Sequence, residues 1–516
     1  MILSCGEMKA LEERAFADGI TAEALMEEAG RQIAGAISQF SPHPGKCVVV
    51  FGKGHNGGDA LVAARHLAQA GWTLEWKPAF PEDSWAPLTR KNWDRVKEMK
   101  PFDDLIGTDT DLELRGWTDV GVTGIHGPRL NPLPLIILDG LLGIGAGGAL
   151  REPIRSATQE INRLRATSHA RVFALDLPTG LDGDTGAADP DAVVADYTLT
   201  IGFAKQGLLA DGATHFVGRL AVLPLEELSR RASGVSSEVV ATPENLRPTL
   251  PRRNFDTHKG QCGRVGLIAG SRGFVGAAIM SAEACVRAGA GLITLYVTED
   301  IYSIVAGAIS PEVMVRPVQS YLEVLDVKAD ALAIGPGLGT RHANEVRQIV
   351  ERATQPMVVD ADALNILSSN IHIIGRCAGL RLLTPHPGEM ARLDSQSSDR
   401  SRRETVEAFN ARWPHILLLK GARTLIGQQG HPLSYNTTGS PGMATGGMGD
   451  MLTGVCAALA GQGLPLYDAA RTGAWLCGRA AEIAVTLGDD SEESLTPTGL
   501  LQHLGRAFDD LRAGGW

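Results

Sequence analysis

Asp450 is the residue in this sequence best placed to do chemistry. It closes a glycine-rich stretch, Thr437-Thr438-Gly439-Ser440-Pro441-Gly442-Met443-Ala444-Thr445-Gly446-Gly447-Met448-Gly449, and precedes an apolar run at 451–459 that predicts a helix. A glycine loop feeding a helix start presents free backbone N–H groups and the positive end of the helix dipole, and both favour phosphate. A carboxylate beside such a cradle repels the phosphate unless it has a task. The task that fits is to take a proton from a hydroxyl as that hydroxyl attacks a phosphoryl group. The competing reading is a glycine turn in which Asp450 only caps the helix.

A second set of polar loops lies in the first half of the chain. A short apolar strand at 47–51 runs into Gly52-Lys53-Gly54-His55-Asn56-Gly57-Gly58-Asp59, and a helix is predicted at 60–70. The spacing satisfies Gly-x-Gly-x-x-Gly, with Glu75 at about the distance of a ribose-binding acid, so an NAD-dependent dehydrogenase is one reading. Asp59 fits that reading poorly, because it sets a negative charge where a pyrophosphate belongs. An amide and a carboxylate around a glycine pair suit hydroxyl groups or a metal ion better. Strand 135–139 ends in Asp139 and a loop running from Gly140 to Ala149, and strand 172–175 ends in Asp176-Leu177-Pro178-Thr179-Gly180. In a parallel sheet these loops gather at the carboxyl edge, where α/β proteins bind ligands. Singly, each acid reads as a strand-end cap; converging, they suit oxygen ligation of a hard cation. Lys205, after a strand at 198–203, either neutralises a phosphate or is solvated.

The second half repeats the logic with different residues. Strand 264–269 enters Gly270-Ser271-Arg272-Gly273-Phe274-Val275-Gly276-Ala277, and strand 331–334 enters Gly335-Pro336-Gly337-Leu338-Gly339. Strand 356–360 ends in Asp360 and Asp362, which read as helix caps, and strand 381–385 ends in His386-Pro387-Gly388-Glu389, a capped turn. One strand is predicted over 416–426 with Lys420 inside it. A buried ammonium needs a partner, because an unpaired one is costly.

These residues have to be positioned by a large α/β framework. At 516 residues the chain has room for two domains with full cores. Strands alternate with helices throughout, which predicts an α/β fold. Between 225 and 258 Arg, Ser, Glu and Pro cluster, so the expected division is a domain at 1–228, a connector with short elements of its own at 229–256, and a domain at 257–516. A net charge of −11 without a basic run argues against nucleic acid or an anionic membrane as a partner. Apolar runs are too short to span a bilayer, and no signal-peptide core opens the sequence. Seven scattered cysteines fit a reducing compartment and argue against structural zinc, so a cytoplasmic protein is expected.

The motifs also carry a resemblance. Residues 446–450 resemble the anion-hole signature of the ribokinase-like superfamily, and the longer string Gly-Ser-Pro-Gly-Met-Ala-Thr-Gly-Gly-Met-Gly-Asp-Met-Leu resembles its NAD(P)H-hydrate dehydratase branch. Leu25-Met26-Glu27-Glu28-Ala29-Gly30, Asn56-Gly57-Gly58-Asp59, the Asp139 loop and Asp176-Leu177-Pro178-Thr179-Gly180-Leu181 resemble the NAD(P)H-hydrate epimerase domain, in that order. The chain departs from the family pattern in having His55 for the usual Asn and Thr179 for the usual Ser. The resemblance implies an N-terminal Rossmann-like α/β/α sandwich and a C-terminal ribokinase-like domain. It implies that hydrated NADH and NADPH are epimerised by the first, with Asp176 as acid/base. It implies that the S form is dehydrated by the second with ADP and magnesium, releasing AMP and phosphate.

The resemblance also assigns residues. His55, Asn56, Gly57, Gly58, Asp59, Gly143, Ile144, Gly145, Ala146, Gly147, Gly148, Ala149 and Asp176 are expected to line the hydrated nucleotide in the first domain, and Asn56, Asp139 and Thr179 to hold potassium. Ala277, Gly337, His386 and Asp450 are expected to contact it in the second. Lys420, Gly421, Ala422, Arg423, Thr424, Leu425 and Gly449 are expected on the adenine nucleotide, with Gly446, Gly447, Met448 and Gly449 as the anion hole. A homo-oligomer is expected. The rival is a ribokinase-type small-alcohol kinase with an N-terminal nucleotide-binding module.

Overall fold

The computed structural model describes residues 1–99, 134–145, 147–232, 234, 236–250 and 252–516. Ala146, expected to line the nucleotide, lies outside the described residues. The chain divides into two compact units, residues 1–235 with Trp516, and residues 236–515.

The first unit carries a six-stranded sheet. Its order is Thr73–Pro78, Lys46–Phe51, Leu135–Gly140, Arg171–Leu175, Tyr197–Ile201, Arg219–Leu223, and every pairing is parallel. The central strands are apolar on both faces, as a sheet covered on both sides requires. One core joins helices Cys5–Ala17, Ala22–Phe40 and His55–Gln69 to the sheet, and a second core joins helix Ile154–Ser168 to the other face. The chain leaves Lys46–Phe51 toward one edge and returns to Leu135–Gly140 to build toward the other. The loops after these two strands therefore flank the point where strand order reverses, which is where open α/β sheets bind ligands.

The Leu-Met-Glu-x-Ala-Gly stretch seats this edge. A Cβ on Gly30 would lie 2.4 Å from the Val62 Cγ1, so only glycine lets helices Ala22–Phe40 and His55–Gln69 approach this closely. Glu27 bonds Arg65 and His66 on the second helix. The helix expected at 60–70 begins instead at His55. Gly57 and Gly58 thus belong to its first turn: a Cβ on Gly57 would meet the Gly52 carbonyl at 2.1 Å, and one on Gly58 would meet the Met26 Cε at 2.6 Å.

The second unit holds a ten-stranded sheet in the order Val313–Val318, Leu292–Thr298, Arg264–Ile268, Ala331–Ile334, Met357–Val359, Arg381–Leu383, Ile416–Leu419, Leu425–Gly427, Leu433–Tyr435, Glu238–Val240. It is parallel from the first strand to Ile416–Leu419. The single strand expected over 416–426 is two antiparallel strands, because the chain turns at Gly421 and Leu425 pairs back with Leu419. The stretch expected as a connector contributes Glu238–Val240 to the far edge of this sheet, pairing with Leu433–Tyr435. Here too strand order reverses, between Arg264–Ile268 and Ala331–Ile334. Helix Met448–Gly461 lies almost wholly buried against helix Val275–Arg287; a Cβ on Gly454 would sit 2.1 Å from the Ser281 carbonyl oxygen.

Candidate functional site

In the first unit three loops meet at the reversal point. A Cβ on Gly52 would stand 2.0 Å from the Leu141 carbonyl, and one on Gly143 would stand 3.5 Å from Asn56 Cβ and 3.9 Å from Asp176 Oδ2. Asn56, from the first turn of helix His55–Gln69, and Gly143 and Asp176, from two loops, therefore share one small space. Around Gly145, Gly147 and Gly148 there is open space within 4 Å. Ile144 is half-buried, and His55 and Ala149 are exposed.

Asp139 is fully buried beneath this space. Its Oδ2 accepts from the Thr179 N–H (2.8 Å), and its Oδ1 from the Thr179 hydroxyl (2.7 Å) and the Leu141 N–H (3.3 Å). Burial pushes its carboxyl up to about 6 in spite of these three donors. The Thr179 hydroxyl accepts in turn from the Leu142 N–H (3.2 Å), and the Asn56 Nδ2 donates to the Leu142 carbonyl (2.9 Å). Asn56 Oδ1 is buried and has no hydrogen-bond partner. A buried acceptor without a donor is costly, and a cation removes that cost. Carboxamide, carboxylate and hydroxyl oxygens are the donors a hard cation takes. Among the described residues no three His, Cys, Asp or Glu side chains are grouped to hold a metal ion. The carboxylate and hydroxyl of Asp139 and Thr179 are joined to the Asn56 carboxamide through Leu142, so the three expected oxygen donors lie on one hydrogen-bonded chain.

Lys205 corrects another expectation. It neither reaches outward to a phosphate nor is solvated: it is 0% exposed and its ammonium pairs with Asp176 Oδ1. The same ammonium donates to the Thr200 hydroxyl (3.1 Å) and the Ile201 carbonyl (2.9 Å). Asp176 holds the left-handed backbone conformation at φ 66, a strained geometry for a residue with a side chain. One of its oxygens is thereby fixed by Lys205 while Oδ2 faces the Gly143 loop. Two further acids act on this group. Burial first, then Asp176 and Glu12, raise the Asp59 carboxyl well above its ordinary range against the pull of Lys205. Burial and Asp176 push Glu12, from helix Cys5–Ala17, up to about 6. Burial and the Asp176 charge thus act in the same direction on Asp59 and Glu12, favouring the neutral form of each. Glu75, the candidate ribose acid, is instead taken by Lys46 (2.6 Å) and Lys77 (2.8 Å).

In the second unit the carboxyl ends of the strands again converge. Gly337, at φ 58, lies against the opposite loop: a Cβ there would meet the Phe274 carbonyl oxygen at 2.7 Å and the Ala277 Cβ at 2.9 Å. Ala277 and Gly337 therefore face each other across the crevice. His386 caps helix Pro387–Leu393, its Nδ1 accepting from the Gly388 and Glu389 N–H groups (3.0 and 3.3 Å), while half of its ring stays exposed. Helix Met448–Gly461 starts from Gly447, at φ 92, with no side chain capping it, so its first N–H groups are unsatisfied by any cap. Open space surrounds Gly446. The start of the glycine stretch is anchored from behind by Glu482, which accepts from the Gly439 N–H (2.9 Å) and bonds the buried Arg479 (3.0 Å).

Lys420 follows strand Ile416–Leu419 and donates to Asp360 Oδ1 at 2.8 Å, with Glu389 at 3.9 Å. Burial works against its charge, but Asp360, Glu389 and Asp450 hold its pKa above the ordinary lysine value. Its Nζ is 3.1 Å from the position of a Cβ on Gly449, so it stands at the helix start. Burial and then Asp360 push the Asp450 carboxyl up to about 6, Lys420 pulls it down, and Asp362 and Glu389 add to the rise. Gly421 and Ala422 are exposed, Thr424 is half-buried, and Arg423 and Leu425 are buried.

Residues 265–502 match the NAD(P)H-hydrate dehydratase family, and residues 22–207 match the family described as the YjeF-related protein N-terminus. The chain is 33% identical to the bifunctional NAD(P)H-hydrate repair enzyme Nnr of Moorella thermoacetica over 94% of this chain and 92% of that one. It is 31% identical to the Nnr of Thermofilum pendens, over 98% and 96% of the two chains. The chain belongs to the family of bifunctional NAD(P)H-hydrate repair enzymes. Among solved structures, the ADP/ATP-dependent NAD(P)H-hydrate dehydratase of Bacillus subtilis aligns with a TM-score of 0.47 and 28% identity, covering 54% of this chain and all of that one.

Within this family frame, sequence reasoning missed Glu12, Thr453 and Glu482. Glu12 stood on an amphipathic helix and Glu482 inside a mostly apolar one, without a motif around either. For Thr453 there was one signal: it lies three residues after Asp450, on the same helical face.

Proposed function

We propose that the chain repairs hydrated NADH and NADPH, the first unit interconverting the two epimers and the second dehydrating the S epimer with ADP. The observation that carries the reading is Asp450, half-buried with its carboxyl near 6, at an uncapped helix start beside the Lys420 ammonium. Hydroxide is a poor leaving group, so direct loss of water from the hydrated ring is slow. Asp450 takes the proton of the ring hydroxyl as its oxygen bonds the β-phosphorus of ADP; the bond from that phosphorus to the bridging oxygen breaks, and AMP leaves. The N–H groups at residues 446–449 and Lys420 stabilise the charge on the transferring phosphoryl group. The ring-nitrogen lone pair then expels phosphate, and loss of a proton from the neighbouring carbon restores the double bond. A magnesium ion bound to the nucleotide supplies further charge neutralisation at its phosphates.

For the first unit, the reading assigns Asp176 to proton transfer, with Asp59 and Glu12 supplying and accepting protons beside it. The orphaned Asn56 oxygen, Asp139 and Thr179 suit a potassium ion, which would fix the loops after three strands. All seven cysteines are free thiols, which supports the cytoplasm as the compartment. Homo-oligomerisation remains part of the reading.

The deciding experiment incubates the protein with mixed NADH-hydrate epimers and ADP. Absorbance of the reduced nicotinamide ring should return for both epimers, with one AMP and one phosphate per ring restored. Accumulation of a stable phosphorylated product, without restored absorbance, would instead make the second unit a small-alcohol kinase.

A further inference from the structure

Asp360 does not behave as the helix cap that its position suggests. It is the N-cap residue of helix Ala361–Ser368, yet its side chain makes no capping bond. Both of its oxygens turn the other way. Oδ1 accepts from the Lys420 ammonium (2.8 Å) and Oδ2 accepts from the Thr453 hydroxyl (2.8 Å). Asp360 is 1% exposed and Thr453 0%, so their bond forms away from solvent, while the Lys420 bond is part-buried; a buried carboxylate is costly to leave without its partners. The backbone around it is tightly held: a Cβ on Gly335 would meet the Asp360 carbonyl at 1.9 Å, and Ala361 takes a left-handed φ of 48. Thr453 is one helical turn beyond Asp450, on the face that Asp450 shares. Asp360 thus ties together two separately built parts of the site, the lysine at the end of a sheet strand and the helix that carries Asp450.

We propose that Asp360, bridged to Thr453, is the positioning residue of the dehydratase site: it clamps the Lys420 ammonium against the start of helix Met448–Gly461, beside Asp450 and the path of the phosphoryl group. The proposal rests on the dehydratase reading of this unit. Without the clamp, Lys420 keeps the more distant Glu389, at 3.9 Å, and the charge of Asp450 itself. The groups facing Asp450 are Asp360, Lys420, Asp362 and Glu389. Removing the negative charge of Asp360 while Lys420 keeps its positive charge favours ionised Asp450, so the acid limb of the dehydration rate moves to lower pH.

The test uses the full chain as Asp360→Asn, Thr453→Val and Thr453→Ser. Its first arm needs no turnover: an amine-acylating reagent is applied and Lys420 modification is followed by peptide mass spectrometry. Modification should be about tenfold faster in Asp360→Asn, because the ammonium loses its partner, intermediate in Thr453→Val, and near wild type in Thr453→Ser, which keeps the hydroxyl. The second arm is the pH profile of dehydration. Its acid limb should fall by about half a pH unit or more in Asp360→Asn, with kcat reduced and epimerisation unchanged. Unchanged Lys420 reactivity in both Asp360→Asn and Thr453→Val overturns the clamp. A lowered Tm with an unmoved acid limb makes Asp360 a structural residue only. An unmoved limb with a tenfold higher magnesium requirement makes it a metal-holding residue, and also overturns the proposal. Absence of dehydration in the wild type would fail the dehydratase reading, while the reactivity arm would still report on the clamp itself.

Discussion

Asp450→Asn separates the base from the rest of the phosphate cradle. Asparagine keeps the size and the hydrogen-bonding capacity of the side chain and removes only its ability to take a proton. With the carboxyl at about 6, roughly nine-tenths of it is ionised at pH 7 and roughly a tenth at pH 5. Dehydration by the wild type should therefore slow about tenfold between those values. In Asp450→Asn the rate should fall at least ~100-fold at pH 7, about 2.7 kcal/mol of transition-state stabilisation, and the acid limb should vanish from what remains. The same shift sets a stability effect of opposite sign. A carboxyl raised from 3.8 to about 6 favours its neutral form in the folded state. Its charge thus costs nothing below the unfolded pKa and progressively more as pH rises to the folded value, reaching at most about 3 kcal/mol at neutral pH. Asp450→Asn should then melt no lower than wild type at pH 7 and lose its advantage by pH 4. The assay is recovery of reduced-nicotinamide absorbance from the S epimer with ADP, with epimerisation in the same chain as the folding control. A variant that keeps a tenth or more of wild-type dehydration, or retains the acid limb, refutes the role given to Asp450.

Three other outcomes are expected. Lys205→Met should destabilise the first unit by about 3–5 kcal/mol, read by thermal melting, because it strands the Asp176 carboxylate in a buried setting; adding Asp176→Asn should recover much of the loss. Epimerisation should rise with potassium when sodium is held as the ionic-strength control, and Asp139→Ala should abolish that response without touching dehydration; a flat response in the wild type removes the cation from the site. A chain of residues 236–515, which has its own sheet and core, should fold and dehydrate one epimer only, and repair of both at full rate would contradict the division of labour.

The sequence by itself determined the features that depend on neighbouring residues. Apolar runs such as Cys47 to Phe51, short, β-branched and bounded by glycine, read as buried strands, and the glycine-rich loops with single acids read as strand ends or helix starts. Asn56, Asp139, Asp176, Lys420 and Asp450 stood out as candidates on those terms, Thr179 entered with the family resemblance, and the presence of two α/β units was legible. Element ends were less legible where packing outweighed propensity: glycines at 57 and 58 argue against a helix, yet the Gly52 carbonyl and Met26 leave no room for a side chain there.

What only the tertiary structure decided is who pairs with whom. Lys205 meets Asp176 across 29 residues, Lys420 meets Asp360 across 60, and Thr453 meets Asp360 across 93. No local pattern encodes such partners, because strand order in a parallel sheet brings together loops that are distant in the chain. The same holds for charge. That Asp450 and Glu12 sit near 6 follows from burial and from acids contributed by other elements, so the proton chemistry became readable only when the loops were folded against one another.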